Sequence, residues 1–130
     1  MNQALASLFD ECANAPGALG CGVRLPDRTN RVRSFDPGFP NESLEKALLH
    51  LASSVAILDG QDLVGGQFVW TFAGGHLHVA TRNDGAIFCL VTRKATGARE
   101  FFDRVLAHFL ASARSKTRNF ISLFQCAAIL

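Results

Sequence analysis

The 130-residue chain is 48% hydrophobic and 18% charged, too apolar for intrinsic disorder and of a length that one hydrophobic core serves. Its apolar runs, at 86–91 and 127–130, are far shorter than the roughly 18–20 residues of a membrane-spanning helix. A net charge of +2, from 13 Lys and Arg against 11 Asp and Glu, is not the strong positive field of a general nucleic-acid binder.

The first residues carry Asp10 and Glu11 and no early Lys or Arg, unlike the basic start and unbroken apolar run of a secretory signal. Cys12, Cys21, Cys89 and Cys126 are widely spaced and form no C-x-x-C pair, so buried free thiols in a reducing cytoplasm are expected rather than a zinc site. Cys126 is fifth from the last residue, where a prenylation motif needs the fourth.

In chain order, Leu5, Leu8, Phe9, Cys12 and Ala13 make one apolar stripe on a helix over 3–14, stopped by Pro16-Gly17. Alternating Cys21, Val23 and Leu25 form a first strand, Pro26-Asp27-Arg28-Thr29-Asn30 a turn, and 31–35 a second strand. Two prolines and a glycine within 36–40 make a loop. Asn41 then caps a long helix that carries Glu42 and Glu45 in its first turn and runs to about Leu58. Leu44, Leu48, Leu51, Val55 and Leu58 line one stripe of it. Leu49, Ala52 and Ala56 widen the apolar arc to about half the circumference at ~100° per residue. A helix resting only on a sheet needs less. A second buried surface is expected, although Leu49 could instead sit under the loop at 60–65.

From Gly66 the period becomes two: Phe68, Trp70 and Phe72 share one face of a third strand. After Ala73-Gly74-Gly75, His76, His78 and Ala80 alternate with Leu77 and Val79 in a fourth strand. Asn83-Asp84-Gly85 is a second hairpin turn. Residues 86–91 are apolar on both faces, which predicts a central fifth strand covered on both sides. A last helix follows Thr96-Gly97 and runs to about Ala113, with Phe101, Phe102, Val105, Leu106, Phe109 and Leu110 along one side. One domain over 1–113 is expected. Beyond it lies a tail over 114–130, polar and basic over 114–119 and then apolar from Phe120; two basic residues beside the apolar run, Lys116 and Arg118, are too few for strong binding to anionic lipid.

The order helix, strand, strand, helix, three strands, helix resembles the roadblock/LC7 family over residues 3–113. The resemblance rests on Gly17-Ala18-Leu19-Gly20-Cys21-Gly22-Val23, the long helix from Asn41, the run from Leu77 to Val91 and Gly97. It implies an α+β, profilin-like α-β-β-α-β-β-β-α fold: a five-stranded antiparallel sheet with the second helix on one face and the first and third on the other. It also implies a homodimer through the second helix and third strand, joining two sheets edge to edge. The dimer candidates are therefore Leu49, Ala52, Ala56, Phe68 and Trp70. The family's members are scaffolds and regulators of small Ras-like GTPases, so the partners implied are a second copy, a small GTPase or another roadblock-type protein.

Arg24, Arg28, Arg31 and Arg33 crowd the first hairpin. They are candidates for docking an acidic partner such as a GTPase switch region, or they protect a sheet edge by charge. His76 and His78 point to one side of a strand and invite a metal, but spacing supplies no third ligand, and a wet strand face accounts for them equally. No Walker motif or G-x-S-x-G elbow occurs, and the Gly17–Gly22 stretch follows a helix and enters a strand, the reverse of a dinucleotide loop. The expectation is a non-catalytic cytoplasmic module with no cofactor, metal, nucleic acid or membrane. The competing expectation is a PAS- or GAF-like sensor with a small-ligand cavity lined by Trp70, Phe72, Phe88 and Phe102.

Overall fold

The structure, a computed structural model, describes residues 3–59 and 67–111. Its elements are α1 (Gln3–Cys12), β1 (Ala18–Arg24), β2 (Asn30–Ser34), α2 (Asn41–Asp59), β3 (Gln67–Phe72), β4 (Gly75–Thr81), β5 (Ile87–Thr92) and α3 (Ala98–Ala111). The expected tail over 114–130, Cys126 and the 60–65 loop lie outside the described residues, as does the side chain of Leu58.

The fold is α+β, with one antiparallel sheet in the order β2-β1-β5-β4-β3. β5 is the middle strand, and all six of its residues are buried. The two-faced apolar run at 86–91 demands that position, because either face left in water would forfeit its burial.

α1 and α3 cover one face. Leu5, Leu8, Phe9 and Cys12 of α1 meet Phe101, Phe102, Val105 and Phe109 of α3 over Cys21, Val23, Ala80, Phe88 and Leu90. Phe102 stacks on Phe88 with ring centroids 5.3 Å apart and planes 15° from parallel. At the rim, His108 Nδ1 lies 2.6 Å from Glu11 Oε1, joining the two helices.

α2 covers the other face through Leu44, Leu48 and Leu51, which pack on Val32, Val79, Ile87, Cys89 and Val91. Two glycines of β1 make room for it. A Cβ on Gly20 would stand 2.8 Å from Leu44 Cδ1, and one on Gly22 would stand 3.0 Å from Leu48 Cδ1. Both leucines are fully buried, so the bare backbone at these positions sets how closely the helix seats. The helix lies chiefly over β1 and β2. The β3 side of the same face carries Phe68, Trp70 and Phe72, with Leu77 of β4 opposite Trp70.

The β4–β5 turn is fastened to the end of α3. Arg82 forms a two-pronged pair with Asp84 at 3.0 and 2.8 Å, donates to the Phe109 carbonyl at 2.8 Å and lies 4.7 Å over the Phe109 ring. Burial raises the Asp84 carboxyl, but the Arg82 hydrogen bonds and the Ala86 N–H outweigh it and hold the group below its ordinary range.

Candidate interaction surface

Among the described residues the buried arc of α2 is narrow. Leu44, Leu48, Leu51 and Val55 fall within about 60° at ~100° per residue, and only the first three are fully buried. Ala52 is half-buried and joins the cluster beneath the helix. Leu49 is 52% exposed, and Ala56 is exposed as well. The apolar arc that exceeds what a sheet-seated helix needs is therefore an open flank of this chain.

A second apolar feature stands on β3. Trp70 is 45% and Phe72 40% exposed, while Phe68 is half-buried and meets Trp70 edge-on at 5.2 Å between ring centroids. Among the described residues β3 pairs with β4 alone, so its outer edge presents backbone donors and acceptors beside two large exposed aromatics. Gln67 Nε2 donates to Asp103 Oδ1 at 2.7 Å, tying the start of β3 to α3.

Between the C-terminal half of α2 and the turns at the near end of the sheet runs an open groove of about 450 Å³. Leu49, Ala52, Val55 and Ala56 form its helical wall, and Leu25, Pro26, Gly85 and Ile87 its strand and turn wall, with Arg24 and Arg28 beside them. Among the described residues no carboxylate lines it. Arg24 donates to the Asn30 side-chain carbonyl at 3.0 Å, a neutral partner. Among the described residues no carboxylate pairs with Arg24 or Arg28. Arg28 is held at φ 72°, a left-handed conformation that glycine adopts at far lower cost.

The four arginines of the hairpin do not form one patch. Arg24 pairs across β1–β2 with Asn30, and across β1–β5 with Ile87, on the α2 face. Arg31 and Arg33 stand opposite Val23 and Cys21, on the α1–α3 face. Arg33 is also spent locally: it reaches Asp10 at 2.6 Å and lies 5.4 Å over the Phe9 ring. Of the predicted surface residues, Arg24, Arg28, Leu49, Ala52 and Ala56 are thus brought together, Phe68 and Trp70 lie farther along the same face, and Arg31 and Arg33 are elsewhere. Leu25, Val55, Gly85 and Ile87 complete the groove without any signal in the sequence, because they meet only when two turns and a helix converge.

His78 does not stand on a wet strand face, whereas His76 is only half-buried. His78 is 2% exposed, stacked on Phe102 at 5.3 Å, with Nε2 3.3 Å from Thr92 Oγ1 and, among the described residues, no hydrogen-bond partner for Nδ1. Burial first, then the nearby His76 and Arg99, lower its pKa, so the ring is held neutral. His76 Nδ1 lies 3.2 Å from Thr71 Oγ1. Among the described residues no group of three His, Cys, Asp or Glu is placed to hold a metal, and none of their helices is long and apolar enough to cross a membrane.

Cys12, Cys21 and Cys89 are buried free thiols. Donation of the Cys21 S–H to Cys12, together with burial, pushes the Cys21 thiol far up, and burial pushes Cys89 up to about 12, so neither is a ready nucleophile. The four aromatics of the sensor expectation are divided by the sheet. Phe88 and Phe102 stack in the α1–α3 core, while Trp70 and Phe72 lie on the α2 side. They line no common cavity.

Neither protein-family models, nor curated proteins, nor solved structures give a match to this chain.

Proposed function

We propose that the chain is a non-catalytic, cytoplasmic, homodimeric interaction module of the roadblock/LC7 kind, which associates through α2 and β3 and serves as a scaffold for, or regulator of, a small Ras-like GTPase. One observation carries the self-association: Leu49, Trp70 and Phe72 are 40–52% exposed on one side of the sheet, beside a strand edge that is unpaired among the described residues. Large apolar groups next to an open edge recruit another chain, and a second copy covers both features under one two-fold axis. The GTPase role draws on the resemblance in element order and on the acid-seeking Arg24 and Arg28. Regulation, as distinct from scaffolding, requires unequal affinity for the two nucleotide states of the GTPase.

Light scattering on the wild type, Ala56→Glu and Trp70→Ser tests the reading. The wild type is expected near twice the 14.0 kDa chain mass, with both variants shifted towards monomer while circular dichroism stays unchanged. A wild type that is monomeric at high concentration overturns it.

A further inference from the structure

α3 and the groove reach the same end of the sheet from opposite faces. β1 ends at Arg24, opposite Ile87, the first residue of β5, so the β1–β2 and β4–β5 turns lie side by side. α2 brings its C-terminal half to that end on one face, making the groove of about 450 Å³. α3 arrives on the other face, where Arg82 of the β4–β5 turn donates to the Phe109 carbonyl at 2.8 Å. The helix closes two residues later, at Ala111. The chain beyond it therefore sets out beside the turn whose Gly85 lines the groove. Residues 112–119 carry three cations and no large apolar side chain, and four of the next five, Phe120, Ile121, Leu123 and Phe124, are large and apolar.

We infer that the apolar run 120–124 seats in the groove of its own chain, against Leu25, Val55 and Ile87, and is displaced when a second copy takes the flank of α2. The reach suffices: eight extended residues span about 26 Å, and helix layers on the two faces of a sheet stand on the order of 20 Å apart. So short a tether gives the run an effective concentration on the order of millimolar, which favours its own groove over that of another molecule. The groove's volume falls within the range of roughly 300–1,000 Å³ that engulfs small ligands, room for two or three of the four side chains. Basic residues followed by apolar ones suit this route. The linker's cations stay in water at the sheet end, kept from the groove by Arg24 and Arg28, while the apolar run meets the apolar wall. Leu49, Ala52 and Ala56 belong both to that wall and to the surface proposed for self-association, so the tail competes with a second copy. That consequence rests on the homodimer reading; the docking itself does not.

The experiment compares the full chain with a variant carrying Phe120→Ser and Phe124→Ser, with circular dichroism reporting the fold of each. Backbone amide shifts are first recorded for both in the Trp70→Ser background, which is monomeric on the homodimer reading and changes no residue of the groove lining. The serines are expected to shift the amides of Leu25, Val55, Gly85 and Ile87, independently of protein concentration, and to leave those of α1 and β2 in place. With Trp70 restored, sedimentation velocity is expected to show the serine variant associating about tenfold more tightly than the wild type. Groove amides that do not move overturn the docking. Shifts that grow with protein concentration place the run in another molecule's groove and overturn the seat within one chain. Groove shifts without tighter association overturn the competition. Chains that stay monomeric with and without the serines remove the homodimer reading and the competition together, while the shifts still decide the docking.

Discussion

Acidification of the folded protein is expected to expose the cost of burying His78. The ring is 2% exposed, and among the described residues its Nδ1 faces no acceptor. Protonation therefore adds a charge and an N–H that the site cannot satisfy. The described groups around it do not compensate: Thr92 Oγ1 occupies Nε2, Phe102 lies against the ring, His76 and Arg99 oppose a positive charge, and Asp103 alone among them favours one. The folded-state pKa lies below the ordinary 6.5, so between those two values the unfolded chain binds a proton that the folded chain does not. Stability is then highest above pH 6.5 and falls as pH drops from 6.5 towards the folded value, with a limiting slope of about 1.4 kcal/mol per pH unit. Asp27, Asp36 and Asp84 are held below the ordinary 3.8, so their stabilisation is lost only in more acidic solution. Urea unfolding of the wild type and His78→Phe at several pH values from 7.5 to 4.5 isolates the effect. The variant leaves Thr92 Oγ1 without its His78 partner, which contributes a constant offset of about 1 kcal/mol; the slope carries the argument. Curves that stay parallel over the whole range refute the claim that His78 is neutral and sealed.

Two further substitutions probe the frame that presents the surface. A Cβ on Gly75 would overlap the Thr92 carbonyl and stand 3.0 Å from Arg93 Cα, all backbone that cannot turn aside; Gly75→Ala is expected to cost about 3 kcal/mol or more. Gly85, at φ 94° in open space, loses only conformational ease, so Gly85→Ala is expected to cost about 1–2 kcal/mol. Chemical denaturation ranks the pair, and a Gly75→Ala protein as stable as Gly85→Ala refutes the packing assigned to the start of β4. Arg82→Ala strands the half-buried Asp84 and takes one donor from the Phe109 carbonyl; a loss of about 3 kcal/mol is expected, with early hydrogen exchange at the end of α3. An unchanged exchange pattern there contradicts the fastening role.

Local pattern determined the element order. The 3.6-residue stripe of α1, the period of two from Phe68 to Phe72 and the two-faced run at 86–91 each reflect what a helix or strand does with apolar groups, and such patterns are written along the chain. The excess apolar arc of α2 was equally legible, because helical angle depends on residue number alone. How the elements face one another was not. Alternation states which residues of one strand share a side, but the loop between two strands decides whether those sides agree, and one residue more or less reverses them. That parity puts Arg24 on the α2 face and Arg31 and Arg33 on the other, dividing a cluster that reads as one in sequence. It likewise puts His78 beneath Phe102 rather than in water. The groove is farther still from the sequence. Its walls come from β1, the two hairpin turns, β5 and α2, and they meet only because Gly20 and Gly22 let the helix settle close to the sheet.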